Sequence, residues 1–238
     1  MKKLLKETNL NKVKDIAEAF LYLNLDVDKK FPMLCQHPYT TYIHFFHEGK
    51  LYNLLNENDL SFFYQVQKEF IQDVKSYNKL YMMISKSYRP AFLRYTKDFL
   101  SKENLSNVLR NLWEGCEGVN HDPNISKAEY IKLFKASDPE ILMSENERKI
   151  LKSFPDEVTI YRGISEPNKK IKMDQIQAMS WTTDFDTAEW FAKRWTNYGS
   201  VYEATIDKND ILAYFSGEYE TVVDYRKLHN IKLVEELL

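Results

Sequence analysis

Glycine and proline are scarce in this chain, with 6 and 7 among 238 residues. That leaves little room for long flexible linkers, so most of the chain must be regular structure. Cysteine is scarcer still. Cys35 and Cys116 are too few for a disulfide framework or, by themselves, for a zinc site. No run of about 18 apolar residues occurs, which argues against a membrane-spanning helix. The opening Met1-Lys2-Lys3-Leu4-Leu5-Lys6-Glu7 lacks the apolar stretch of a secretory leader. The expected compartment is therefore the cytoplasm, although a toxin exported by a dedicated machine would read the same way. Charge of one sign is lacking too. The 33 Lys and Arg against 35 Asp and Glu leave a net charge of −2, so no global positive field draws the chain onto nucleic acid. A local basic groove remains compatible with that balance.

What the chain has in abundance is aromatic residues, 14% in all, including 16 Tyr and 14 Phe. Most of them read as core. Apolar residues recur at helical spacing through the first 150 residues, which read as helical. Val13, Ile16, Ala17, Phe20 and Leu21 form one stripe, Phe63, Val66, Phe70, Ile71 and Val74 a second, and Leu105, Val108, Leu109, Leu112 and Trp113 a third. Pro90 suits a helix first turn ahead of Phe92, Leu93, Tyr95, Thr96 and Phe99. Ser126-Lys127-Ala128-Glu129 and Ser144-Glu145-Asn146-Glu147 both have the form of a capping box. Between these elements, residues Gly115 to Asn124 are rich in turn formers and read as a loop in which Glu117 and Asn120 are placed to contribute to a pocket.

The texture changes after Pro155. Val158-Thr159-Ile160-Tyr161-Arg162 reads as a strand ended by Gly163, and Ile176 to Thr183 as one or two short strands. A helix beginning near Asp186 carries Trp190, Phe191 and Trp195, and Gly199 is expected to stop it. Strands follow at 201–206, 211–215, 219–223 and 231–234. The fold class expected is α+β: a helical N-terminal part, residues 1–104, followed by a mostly antiparallel β-sandwich over residues 105–238.

Three features in the last third could carry chemistry. Arg162 ends a strand before a glycine. Ser180-Trp181-Thr182-Thr183 sets small hydroxyls beside an aromatic. Glu218-Tyr219-Glu220 puts carboxylates at i and i+2, on one face if the segment is a strand. Each alone also suits a bland role: a surface ion pair, a β-prone strand, a solvated strand face.

In combination and order they resemble the arginine–serine–glutamate branch of the ADP-ribosyltransferases, which includes the clostridial binary toxins and the ecto-ADP-ribosyltransferases. The resemblance extends to bacterial and phage transferase-like sequences. It runs through Asp138 to Met143, Ser144 to Arg148, Phe154 to Gly163, Ser180 to Asp184 with the Trp190-Phe191-Ala192 helix, and Val222-Val223-Asp224. It implies NAD as a substrate and no metal. Breaking the nicotinamide–ribose bond passes through an oxocarbenium-like cation, which a fixed negative charge in a shielded site stabilises. On that resemblance Glu220 would hold the ribose 2′-hydroxyl and stabilise the cation, and Glu218 would orient or deprotonate the attacking group. Arg162 would pair with the NAD diphosphate, a task suited to a permanently charged planar fork. Ser180 would hold the Glu220 carboxylate, Thr182 would buttress the same strand, and Gly163 would let the backbone approach the nicotinamide amide. Tyr214 and Phe215 occupy the place of a substrate-recognising aromatic. Both also suit a strand core, the preferred reading for Tyr214. Trp181 reads as core, covered by Trp190 and Phe191, and Glu203 as a solvent-facing carboxylate.

The function implied is transfer of ADP-ribose from NAD to an intracellular macromolecule. The acceptor would be a protein arginine, which Glu218 favours, or a nucleic-acid base held by Lys169, Lys170, Lys172 and Arg194 with stacking aromatics. A toxin of a toxin–antitoxin or phage-defence system fits, with a neutralising antitoxin or immunity protein as partner. The alternatives are an NAD glycohydrolase and a non-catalytic binding module on the same fold. Other constellations carry less. His44 and His47 stand at i, i+3, which suits two metal ligands on a helix face but brings no third. Cys116 lies near His121 and Asn120 in sequence, as a thiol nucleophile would need. The Lys2, Lys3, Lys6, Lys12 and Lys14 run reads as a solvated helix face.

Overall fold

A computed structural model of the chain describes residues 5–116, 118, 122–166, 171–195 and 198–237. The chain divides into two units, Met1–Ile125 and Ser126–Leu238. The boundary expected at 104/105 falls instead inside a helix, Lys102–Gly115. That helix is amphipathic. Leu105, Val108, Leu109 and Leu112 are fully buried on one face, and this face is what ties it to the first unit.

The first unit contains α1 (Leu10–Leu21), α2 (Glu57–Asp73), α3 (Tyr77–Met83), α4 (Arg89–Thr96) and α5 (Lys102–Gly115). Their starts follow from side-chain caps. Asn9, Asn56, Ser76 and Ser101 each accept from a backbone amide of the first turn, and Pro90 stands in the first turn of α4. Phe63, Val66 and Ile71 are buried as the second stripe requires, whereas Phe70 is exposed.

The helical reading fails between α1 and α2. Here β1 (Asp26–Val27), β2 (Leu34–His37) and β3 (Thr40–Tyr42) form a small antiparallel sheet, and β4 (His44–His47) and β5 (Lys50–Asn53) form a hairpin. Strands of two to four residues are too short to show alternation. The hairpin turn is Glu48-Gly49, with φ of 47° and 80°, the positive pair that a two-residue type I′ turn needs. On a strand, His44 and His47 point to opposite faces, so the shared metal face drawn for a helix does not exist.

The second unit opens with α6 (Lys127–Ala136), α7 (Pro139–Leu142) and α8 (Glu145–Ser153). Ser126 accepts from the Glu129 amide at 3.3 Å. Ser144 and Glu147 form a complete capping box. Among the described residues six strands follow: β6 (Glu157–Ser165), β7 (Ser180–Thr182), β8 (Gly199–Asp207), β9 (Ile211–Phe215), β10 (Glu220–Val223) and β11 (His229–Leu237), with α9 (Met173–Ile176) and α10 (Phe185–Lys193) between them. Where strands were expected from Ile176 to Thr183, a helical turn precedes the three residues of β7.

The strand order is β11-β8-β6-β7-β10-β9, antiparallel throughout. This is one hydrogen-bonded sheet rather than the two separate sheets of a sandwich. It nevertheless has two halves. β6 pairs with β8 along all nine of its residues but with β7 at one pair only, Tyr161↔Thr182. Val158, Ile160, Ala204 and Ile206 from one half share an apolar cluster with Trp181, Ile211 and Val223 from the other.

Helix α10 lies against β6 and β8 through small residues. Ala188 and Ala192 are fully buried with Val201. A Cβ on Gly163 would sit 1.8 Å from the Ala188 carbonyl oxygen, and one on Gly199 2.1 Å from that of Ala192. Both glycines are therefore packing surfaces for a helix. Gly199 does not terminate α10, which ends at Lys193, but begins β8. The Cβ side of Gly163 is filled by the α10 backbone. Trp190, 54% exposed, does not cover Trp181. Among the described residues no helix is long and apolar enough to cross a membrane.

Gly163→Ala should lower the unfolding free energy by roughly 3 kcal/mol, because the added methyl meets backbone that cannot rotate away. Gly217→Ala, where a Cβ meets nothing within 4 Å, serves as the control in the same denaturant titration. A loss under about 1 kcal/mol for Gly163→Ala would mean that α10 lifts without cost.

Candidate active site

The junction of the sheet halves assembles the candidate residues. β7 pairs with β10 at Glu220↔Thr182, Thr221↔Trp181 and Val222↔Ser180, and with β6 at Tyr161↔Thr182. Residues opposite one another share a face. Thr182 and Glu220 are thus direct neighbours, and Ser180 lies two residues along the same face of β7. Trp181 points the other way, into the shared cluster, where its indole N–H donates to the Ala178 carbonyl at 2.9 Å.

Beyond Tyr161, β6 has no further pair with β7, and Arg162 reaches across the parting. Its Nε donates to the Gln175 carbonyl at 2.7 Å and its Nη1 to the Ser180 carbonyl at 2.6 Å. The guanidinium is thereby fixed by backbone, and among the described residues the rest of its five-donor fork is left for other partners. Burial pulls its pKa down to about 10, against which the negative charge of Glu220 acts. It stays protonated at neutral pH, and the two charges feel each other where screening by water is weak. Arg162, Ser180, Thr182 and Glu220 are therefore brought together from three strands.

Glu218 is placed differently from expectation. Ser216–Glu218 is a 3₁₀ turn, Tyr219 follows in the left-handed conformation (φ 48°, ψ 34°), and β10 begins only at Glu220. The two glutamates do not alternate along one strand, because the residue between them reverses the backbone. Glu218 is exposed and Glu220 half-buried. Left-handed backbone disfavours a residue with a Cβ, by roughly 1 kcal/mol or more. Here it is held by hydrogen bonds. The Thr182 hydroxyl shares its one proton between the Glu218 carbonyl at 2.9 Å and the Tyr219 carbonyl at 3.2 Å, and the Thr183 amide donates to the Tyr219 carbonyl at 3.1 Å. Thr182 does more than buttress a strand: it ties down the turn between the glutamates.

Tyr214 and Phe215 are core residues of β9. They are 3% and 2% exposed, and the Tyr214 ring meets Phe154 edge to face. The exposed aromatic of this segment is Tyr219, at 52%, which strand periodicity had concealed. Glu203, opposite Tyr161 on β8, pairs with Lys232 at 2.8 Å. Asp224, just beyond β10, is buried and structural. Its bonds from Arg226, aided by Lys135, pull its pKa from 3.8 to about 2 against the opposing effect of burial.

The remaining candidates separate. In the first unit, Cys116 donates to the Lys86 carbonyl at 3.5 Å, and burial raises its thiol pKa, opposite to what a nucleophile requires. His121, Asn120 and Glu117, the neighbours proposed for it and for the loop, lie outside the described residues, as do Lys2, Lys3, Lys169 and Lys170. Lys172 is exposed. The Arg194 guanidinium lies over the rings of Trp190 and Trp195, at 5.2 and 4.7 Å from their centroids.

Thr182→Val keeps the shape of the side chain and removes both bonds to the turn, so stability should fall by about 1–2 kcal/mol. Faster exchange of the amides around Tyr219 should accompany it, and unchanged exchange would mean that the turn holds itself. Asp224 sets an acid limb. A carboxylate whose pKa is depressed on folding stabilises fully above about pH 4, and the stabilisation is lost as pH falls toward 2. Asp224→Asn should remove about 2 kcal/mol of that pH dependence in urea titrations at pH 5 and pH 2. No protein-family model matches this chain, and neither a curated protein nor a solved structure is significantly similar to it.

Proposed function

We propose that the second unit is an NAD-dependent mono-ADP-ribosyltransferase, with Glu220 and Arg162 at its centre. The observation that carries this reading is the meeting of a half-buried carboxylate and a backbone-anchored guanidinium at the point where β6 and β7 part. A developing ribosyl cation needs a fixed negative charge, and a diphosphate needs a planar positive fork, within one shielded place. Glu220 supplies the first and the remaining N–H groups of Arg162 the second. Because its donors to the Gln175 and Ser180 carbonyls hold the guanidinium in place, little reorganisation is needed on binding. Ser180 flanks Glu220 on the same sheet face.

Glu218 and Tyr219 sit at the exposed tip of the turn next to Glu220. A carboxylate and an aromatic ring in that position suit contact with a macromolecular acceptor. This supports transfer to a protein or a nucleic acid over simple hydrolysis, with Glu218 as the base toward the attacking group.

The test is incubation of the purified chain with labelled NAD and cell lysate, followed by separate protease and ribonuclease treatment. Glu220→Gln should lower NAD turnover by about 10²- to 10³-fold while the fold persists. Label removed by protease identifies a protein acceptor, and label removed by ribonuclease an RNA. Full activity of Glu220→Gln would overturn the site, and no NAD consumption by folded protein free of any inhibitory partner would overturn the enzyme.

A further inference from the structure

The box glutamate of α8 is used twice. A capping box needs one side-chain oxygen to accept from the cap residue's amide, a task that glutamine performs as well as glutamate. Glu147 meets it with Oε2, which accepts from the Ser144 amide at 2.7 Å. Its other oxygen leaves the helix. Oε1 accepts from the Ser216 amide at 3.1 Å and from the Ser216 hydroxyl at 3.2 Å. The side chain is 2% exposed. A buried carboxylate is costly to maintain unless its lone pairs are used, and here both oxygens accept. The neighbouring Met143 adds a second link, its sulfur accepting from the Tyr214 amide at 3.3 Å.

Ser216 opens the turn that carries Glu218 and leads to Glu220. We propose that Glu147 is a positioning residue that fixes the entry of this turn, and through it the placement of the two glutamates. The proposal rests on the transferase reading of Glu220 and Glu218. The turn would otherwise be fixed chiefly at its exit, by the bonds of Thr182 and Thr183 to Glu218 and Tyr219. A glutamine at 147 has one acceptor and one donor. It can accept from Ser144 or from Ser216, and its NH₂ must oppose an N–H on the other side. With the amide oxygen on Ser144, where the capping box accepts glutamine as readily as glutamate, the helix cap is kept at the expense of the turn. Displacement of reacting groups by about 1 Å can cost on the order of a hundredfold in rate.

Glu147→Gln, Ser216→Ala and Ser144→Ala are compared with the wild type in the full chain, by thermal unfolding, amide exchange over residues 214–221, and kcat and KM for NAD. In Glu147→Gln, exchange at Ser216 to Tyr219 should accelerate about tenfold. Its kcat should fall about ten- to hundredfold, with KM for NAD within about twofold. Ser216→Ala loses one of the two bonds at that end and should show a smaller change in the same direction. If Glu147→Gln fails to fold, this variant carries the test. Ser144→Ala weakens the helix cap without touching the turn, so its melting temperature should drop while exchange at the turn and kcat hold. Unchanged exchange in Glu147→Gln, or faster exchange with kcat intact, overturns the proposal. If kcat in all three variants merely follows the melting temperature, the role is structural and the proposal also falls. A wild type that consumes no NAD sinks the transferase reading instead, and the exchange arm still decides whether the tether exists.

Discussion

The second unit depends on one backbone decision: β6 and β7 meet at Tyr161↔Thr182 and then part. On its other edge β6 is paired with β8 throughout, so the parting costs the sheet nothing there. Were β7 to follow β6 further, Arg162 would be another strand residue between two neighbours. Instead its side chain bridges the gap to two carbonyls, one on β7 at Ser180 and one on the helical turn α9 at Gln175. The same parting turns the two sheet halves onto a common cluster around Trp181, so that the apolar core and the polar junction lie on opposite faces of β7. Alternation along three residues, Ser180, Trp181 and Thr182, separates core from chemistry.

Close packing on the outer side complements this arrangement. Tyr161 and Gly163 point toward α10, where Ala188 and Ala192 let the helix approach backbone to backbone. A rigid helix laid on β6 immobilises the strand from which Arg162 projects. Trp190 of α10 is then turned outward, because a helix that approaches through alanines has no room for tryptophan on that face. Trp190 is exposed for this reason rather than covering the core.

What was legible in the sequence follows the range of the interactions involved. Helices with long apolar stripes, such as α1 and α5, or with a complete capping box, such as α8, could be read locally, since stripe and cap lie within one element. The longer strands β6, β8 and β9 could be read from their β-branched runs. The five short strands between α1 and α2 could not, because two to four residues carry no period and Glu48-Gly49 is a weak hairpin signal. The candidate residues Arg162, Ser180, Thr182 and Glu220 could be picked out as a set, but their geometry could not. Period-2 reasoning placed Glu218 and Glu220 on one strand face, and a single left-handed residue at Tyr219 cancelled it. The same reasoning hid Tyr219 and offered Tyr214 and Phe215, which burial removes. Gly163 and Gly199 were read by local rules, as a ligand approach and a helix stop, whereas both pack against the backbone of α10.

A left-handed tyrosine between two carboxylates persists only if its surroundings over-determine it. Here the constraints come from both ends of the turn and from different elements. Thr182 on β7 takes the carbonyls at the exit, and Glu147 on α8 takes the amide at the entry. Neither tether alone would set the conformation, since a turn held at one end can swivel about the other. Held at both, the chain has few ways to span from Ser216 to Glu220, and the reversal at Tyr219 is one that exposes Glu218 while starting β10 on Glu220. The strain is local and the ties that offset it are distributed, which is how a short polar turn with a glycine at its centre can present two carboxylates in fixed and different environments.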